Sequence, residues 1–195
     1  VPSLSAGPVL DFMARSGRRD ILLVPPRSAY LVQALVSREH RFVYVPRPKA
    51  ASTTMLETLA KLLGRGFDVN HHDRVQTTVD LRAPELRDYF KFTIVRHPLD
   101  RLVSFHSKVI GEPTDKFLRL YIDPIRRWLG RSEVGFGDFC RFVAENSDLV
   151  ANHHWRSQYL GIVDPAGRPL VDQVGRLESL EEDLDRIGRT LGLEL

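Results

Sequence analysis

Cysteine is almost missing from this chain of 195 residues: Cys140 stands alone, which excludes an internal disulfide and any cysteine-rich zinc site. The fold must therefore stand on packing. Lysine is scarce as well, with five (Lys49, Lys61, Lys91, Lys108 and Lys116) among 28 basic residues, so a lysine inside a motif is a specific choice rather than surface filling. Long apolar runs are absent; Arg, Pro or Ser interrupts each of them well short of the ~20 residues that a bilayer-spanning helix needs. Asp11, Arg15, Arg18, Arg19 and Asp20 break up residues 1–28, so no signal peptide reads there. A soluble, cytoplasmic protein is the expectation. Internal repeats and low-complexity tracts are missing too, which excludes solenoids and fibrous architectures.

What is present suits one core. A hydrophobic fraction of 43% with both charge signs well represented fits a single domain over residues 1–195. The net charge of +3 suits an anionic small ligand as well as an ordinary solvated surface, and calls for no nucleic-acid partner. Residues 41–46 (RFVYVP) form a short β-branched and aromatic run ended by proline, a strand signature. After it, Ser52 is placed to cap a helix whose Met55, Leu56, Leu59, Leu62 and Leu63 recur on one face. The pattern then repeats, with a strand over 90–95 and a helix over 98–110 that opens on Pro98. Two strand-loop-helix units predict an α/β fold with a central parallel sheet and ligands at the carboxyl ends of its strands. Further helices are expected over 116–129, 136–145 and 180–191, a strand over 170–174, and a helix over 30–36.

Each loop after these strands carries anion-binding chemistry. Pro48-Lys49-Ala50-Ala51-Ser52-Thr53-Thr54 sits where strand becomes helix. A helix start offers free N–H groups and a positive dipole end, the small alanines allow close approach, and Lys49 adds a mobile charge. The stretch lacks both glycines of a Walker A loop, G-x-x-x-x-G-K-[ST], and no acidic residue ends a strand to hold magnesium, so the loop looks built for a phosphate-like group without a metal. In the second loop, Arg96 leaves the strand tip and Ser104 lies about two turns into the helix, within reach of a second anion. Arg101, inside the helix next to Asp100, reads instead as a surface ion pair.

PKAASTT (48–54) and YFKFTIVRHPLDRLVS (89–104) resemble the 5′-phosphosulfate loop and the 3′-phosphate motif of sulfotransferases that use 3′-phosphoadenosine 5′-phosphosulfate (PAPS). The likeness is strongest to the carbohydrate group that includes chondroitin 4-O- and heparan 2-O-sulfotransferases. Asn152-His153-His154-Trp155 and VGRLESLEED (174–183) are similar to two further stretches of the chondroitin branch. The resemblance runs in order over residues 42–192 and points to a soluble, bacterial-type member. It implies a three-layer, P-loop nucleoside-kinase-like sulfotransferase fold, and in-line transfer of a sulfuryl group from PAPS to a hydroxyl of a carbohydrate or other small acceptor, releasing PAP with no metal. By position, Lys49 assists the departing oxygen, Ala51, Ser52, Thr53 and Thr54 hold the 5′-phosphosulfate, and Arg96 with Ser104 grips the 3′-phosphate. Ser52 stands where the chondroitin branch usually has Cys.

An attacking hydroxyl must lose its proton, and a neutral imidazole suits that task near neutrality. The resemblance points to the pair His71 and His72, without choosing between them. His154 and Trp155 shape the acceptor side, with Trp155 either an aromatic wall or a core anchor. Two other readings use the same residues: an ATP-dependent small-molecule kinase, which requires magnesium, and a nucleotide- or polyanion-binding module without catalysis.

Overall fold

Phe42, Val43 and Tyr44 are apolar in succession because both sides of their strand are covered. In the computed structural model, β2 (Phe42–Tyr44) turns Phe42 and Tyr44 toward one core cluster and Val43, with Val45 just beyond the strand, toward another. The structure describes residues 30–111, 113–115, 118–148 and 151–195. These fall into two compact units, one made of residues 30–101 with Ser157–Leu195, the other of Leu102–Arg156. The reading of residues 1–28 lies outside the described residues.

The first unit is built on a five-stranded sheet in the order β3-β1-β2-β4-β5, with β1 at Leu31–Ser37, β3 at Thr77–Asp80, β4 at Phe90–Val95 and β5 at Gln173–Arg176. The sheet is mixed, a correction to the all-parallel expectation. β2, β4 and β5 run parallel, while β1 pairs antiparallel with both β2 and β3. The reason is the connection between β1 and β2, a tight turn over residues 38–41 that ends on Arg41 at φ 51°; so short a link joins only antiparallel strands. The helix expected over 30–36 is β1 itself. Ala34 and Leu35 are fully buried in opposite clusters, and a strand covered on both faces shows the same unbroken apolar run as a buried helix.

Helix α1 (Ser52–Leu62) lays Met55, Leu56 and Leu59 on Leu35, Phe42, Tyr44, Phe92 and Ile94, together with Ile187 of α5 (Leu180–Leu191). The opposite sheet face is covered by loop residues Leu81, Leu86, Ile162 and Val171. Helix α2 spans Pro98–Gly111. In the second unit, α3 (Asp123–Leu129) follows a π-helical turn at Leu118–Ile122, and α4 occupies Phe136–Glu145. Its core gathers Phe105, Ile122, Ile125, Phe139 and Phe142, with Trp155 packed against them. The helix starts at 98, 136 and 180 agree with the sequence reading; β5 begins later than expected, and residues 116–117 of the helix expected over 116–129 lie outside the described residues. Among the described residues no helix is long and apolar enough to cross a membrane.

One glycine fixes how α5 approaches the sheet. A Cβ on Gly175 of β5 would lie 2.6 Å from Ile94 Cδ1 and 3.1 Å from Asp183 Cβ, so the close contact between strand and helix requires a hydrogen there. Gly175→Ala is expected to destabilise the fold by about 1–3 kcal/mol through overpacking. The denaturant midpoint measures this, and an unchanged midpoint would show that Ile94 steps aside at no cost.

Candidate functional site

The loop from β2 to α1 departs from ordinary backbone. β2 keeps its ladder to β4 as far as Val45, whose N–H donates to the Phe92 carbonyl (2.9 Å) and whose carbonyl accepts from the buried Thr93 hydroxyl (2.6 Å). Pro46 then ends the pairing. Two residues on either side of the buried Ala50 take the left-handed conformation, Lys49 at φ 68° and Ala51 at φ 54°. Such residues cost of order 1 kcal/mol or more apiece and persist only where the surroundings impose them. Alternation of this kind turns successive backbone N–H groups toward one concave side.

Ala51, not Ser52, precedes the helix, and no side chain caps it; the capping role expected of Ser52 is thereby corrected. Met55 makes the first helical bond, to the Ala51 carbonyl (2.9 Å). The N–H groups of Ser52, Thr53 and Thr54 lie ahead of that bond, at the positive end of α1. Lys49, Ser52 and Thr53 are half-buried and Thr54 is exposed, so this loop and helix start carry an ammonium, three hydroxyls and free N–H groups at the carboxyl end of β2.

Arg96 is fixed from two sides. The Gln158 side chain accepts from the Arg96 N–H (3.0 Å) and donates to its carbonyl (2.7 Å), closing an amide clamp on the residue that leaves β4. The guanidinium reaches back to the Lys49 carbonyl (3.4 Å). Next in the chain, the His97 N–H donates to Glu178 Oε1 (2.7 Å), and that bond holds the Glu178 carboxyl below its usual range, with the His97 and Arg96 charges assisting against a small cost of burial. Asp183, almost wholly buried, accepts from the Arg176 N–H (2.7 Å), from Ser179 Oγ (2.9 Å) and from Arg186. Burial pushes its carboxyl up, yet the three donors together bring it below the ordinary value. The VGRLESLEED stretch therefore serves to set the geometry of the strand tips.

Arg101 overturns its sequence reading. Instead of pairing on the helix surface it is buried, and its Nε donates to the Pro48 carbonyl (2.9 Å); Asp100 lies near His97 (3.9 Å). Arg47 was not singled out from the sequence. Its Nε and Nη2 are shut off from solvent with no acceptor among the described residues. Burial first, and then the charge of Arg101, lower its pKa to about 10, with Tyr44 working the other way. Gln158 also carried no sequence signal, whereas the run Pro46-Arg47-Pro48-Lys49 does offer one: two cations flanked by prolines in a loop with no acidic residue.

The first unit thus brings together Lys49, Ala51, Ser52, Thr53, Thr54 and Arg96. His71 and His72 belong to the same unit, in a 3₁₀ turn at Val69–Val75 that packs on α1 and kinks at His71. His71 Nδ1 lies 2.7 Å from Asp68 Oδ2, while His72 Nδ1 is buried with no partner among the described residues. Ser104, His154 and Trp155 belong to the second unit. Ser104 lies on α2, and the His154 ring packs on Phe105 and Tyr121 with Nδ1 2.8 Å from Asn152 Oδ1. Trp155 contacts Phe105, Phe139 and Phe142 as part of the aromatic core.

An uncapped helix start at the carboxyl edge of a mixed α/β sheet, bordered by an arginine-bearing strand tip, is an arrangement suited to phosphate-like groups. Residues 32–194 match the model of the Sulfotransferase family, and the chain belongs to that family. It is 32% identical over 183 residues to carbohydrate sulfotransferase 14 of Mus musculus, covering 85% of this chain and 48% of that protein. It is 26% identical over 204 residues to carbohydrate sulfotransferase 11 of Rattus norvegicus (90% and 56%) and 27% identical over 199 residues to carbohydrate sulfotransferase 10 of Homo sapiens (87% and 55%). The chain spans about half the length of these curated relatives. No solved structure matches it.

Asp183 gives the site's frame a pH dependence. Its folded-state pKa lies below the ordinary carboxylate value, so the stability it contributes is present above that value and is lost as pH falls through the depressed one. The Tm difference between the parent and Asp183→Asn is expected to be largest above about pH 5 and to shrink toward about pH 2. A difference that stays constant over this range would show that the carboxylate's charge contributes nothing.

Proposed function

We propose that this chain catalyses transfer of the sulfuryl group of PAPS to a hydroxyl of a carbohydrate acceptor, releasing PAP. The observation that carries the reading is the uncapped start of α1 behind two left-handed residues, with Lys49 at its mouth and Arg96 alongside. Membership of the Sulfotransferase family supports the donor, and the names of the relatives support a carbohydrate acceptor. The three-layer, P-loop nucleoside-kinase-like description of the fold and the absence of a metal requirement belong to the same reading.

Sulfuryl transfer passes in line between two oxygens, so positioning and charge stabilisation supply most of the rate. The N–H and hydroxyl groups of residues 51–54 hold the 5′-phosphosulfate. Lys49 meets the charge that develops on the bridging oxygen as the S–O bond to the phosphate breaks. Arg96, held by the Gln158 clamp, takes the 3′-phosphate. The incoming hydroxyl passes its proton to His71 or His72 as the new O–S bond forms. Of the two, His71 has a carboxylate, Asp68, to orient it.

PAP is expected to raise Tm without added metal; a shift given by ATP with magnesium and none by PAP would turn the reading toward a kinase. Lys49→Ala should lower kcat by about 10²-fold or more while leaving PAP affinity nearly intact, and Arg96→Ala should chiefly weaken PAP binding. Equal loss of affinity in both variants, with kcat unchanged, removes Lys49 from its role.

The base is read from pH profiles at saturating PAPS. Activity should fall below roughly pH 6–7, and one of His71→Ala or His72→Ala should abolish that limb and cost about 10²-fold or more in kcat with PAP binding intact. Both variants active and His154→Ala inactive would instead move the base to residues 152–155.

A further inference from the structure

Arg47 is a half-buried cation for which the loop offers no counter-charge. Its Nε and Nη2 are closed to solvent and meet no acceptor among the described residues, and the Tyr44 hydroxyl, also buried, is equally without one. A neighbouring charge is of the same sign: Arg101, itself buried and bonded to the adjacent Pro48 carbonyl, depresses the pKa of Arg47. A guanidinium with two nitrogens closed to solvent and unsatisfied, near a second guanidinium, is a costly arrangement that well-packed apolar side chains would avoid. Gly161, at φ 81°, lies against this side chain: a Cβ there would fall 3.1 Å from Val32 Cγ1 and in ordinary contact, 3.5 Å, with Arg47 Nη2.

The position of this group is informative. Val32 lies on β1, the neighbour of β2 on the side away from β4, whereas Arg96 leaves β4. Arg47 and Arg96 therefore flank the Lys49 loop from opposite sides, and Arg47 stands on the flank away from the one assigned to the 3′-phosphate.

We propose that Arg47, with the Tyr44 hydroxyl, forms an oxyanion subsite on the β1 flank of the Lys49 loop, taking two oxygens of a sulfonate or carboxylate in the fork of its guanidinium. The source of that group is the transferring sulfuryl of the donor or an acidic substituent of the acceptor. This deepens the reading of the site as a sulfuryl-transfer centre and rests on it.

The test compares the full chain with Arg47→Met and Arg47→Lys. Arg47→Met removes a half-buried, incompletely satisfied charge and is expected to melt no lower than the parent in anion-free buffer, yet to lose the stabilisation that inorganic sulfate gives the parent. With PAP its affinity should match the parent's. A loss of about ten- to a hundred-fold should then appear in one of two places. A fall in PAPS affinity alone identifies the sulfuryl group; a rise in KM for an acidic oligosaccharide, absent with its carboxyl-reduced form, identifies the acceptor. Arg47→Lys, which keeps the charge and drops the fork, should retain part of the sulfate response, and it carries the comparison if the methionine variant does not fold. Parent-like responses to sulfate, PAPS and the acidic acceptor in the variants overturn the subsite. Failure of PAP to bind the parent overturns the transferase reading instead, and the sulfate comparison still decides the role of Arg47.

Discussion

The hydrogen bonds from Arg101 to the Pro48 carbonyl and from Arg96 to the Lys49 carbonyl decide the direction in which the rest of the site faces. A trans peptide sets its N–H opposite its C=O, so a carbonyl drawn toward Arg101 sends the Lys49 N–H the other way. Two left-handed residues are the consequence, at a cost of order 1 kcal/mol or more each. Charge-assisted bonds to carbonyls, worth about 1.5–3 kcal/mol apiece, are large enough to hold that conformation without glycine. The loop achieves with arginines what a Walker A loop achieves with flexible backbone. Its rigidity is imposed from outside, by residues of the following strand-loop-helix unit.

That dependence extends outward. Arg96 can hold the Lys49 carbonyl only if its own backbone is fixed, and Gln158 fixes it with two bonds from a segment 62 residues later in the chain. Glu178 does the same for His97, and Asp183 holds the residue at the end of β5 and the turn into α5. Two late segments, at Gln158 and over 174–183, thus pin the ends of the neighbouring strands β4 and β5, which is why sequence motifs far apart in the chain occur together.

The local parts of this frame were legible. Period and capping chemistry located β4, α1, α2, α4 and α5 because each is decided by side chains within a few residues of one another. β1 does not read as a strand because coverage on both faces removes the alternation that distinguishes one, and without β1 the sheet reads as parallel. Lys49 and Arg96 stood out by position after strand runs. Gln158 and the true partner of Arg101 did not, since a glutamine that clamps a backbone, or an arginine that reaches 53 residues back to a carbonyl, leaves no periodic or neighbouring signal.

The cations around the loop also differ in what balances them. Arg96 and Arg101 donate to carbonyl oxygens, which supply a partial negative charge. Asp164 and Asp183 pair with Arg168 and Arg186, and the charge of Arg96 acts on Glu178. Arg47, by contrast, keeps two guanidinium nitrogens without an acceptor among the described residues. A fold that left charge uncompensated in a half-buried place would lose stability for no return unless an anion supplied the balance, and binding such an anion to the folded state alone stabilises it in proportion to RT ln(1 + [L]/Kd). The stability of this unit and its affinity for oxyanions are for that reason two measures of the same electrostatic imbalance: substitutions that relieve it should raise one and lower the other.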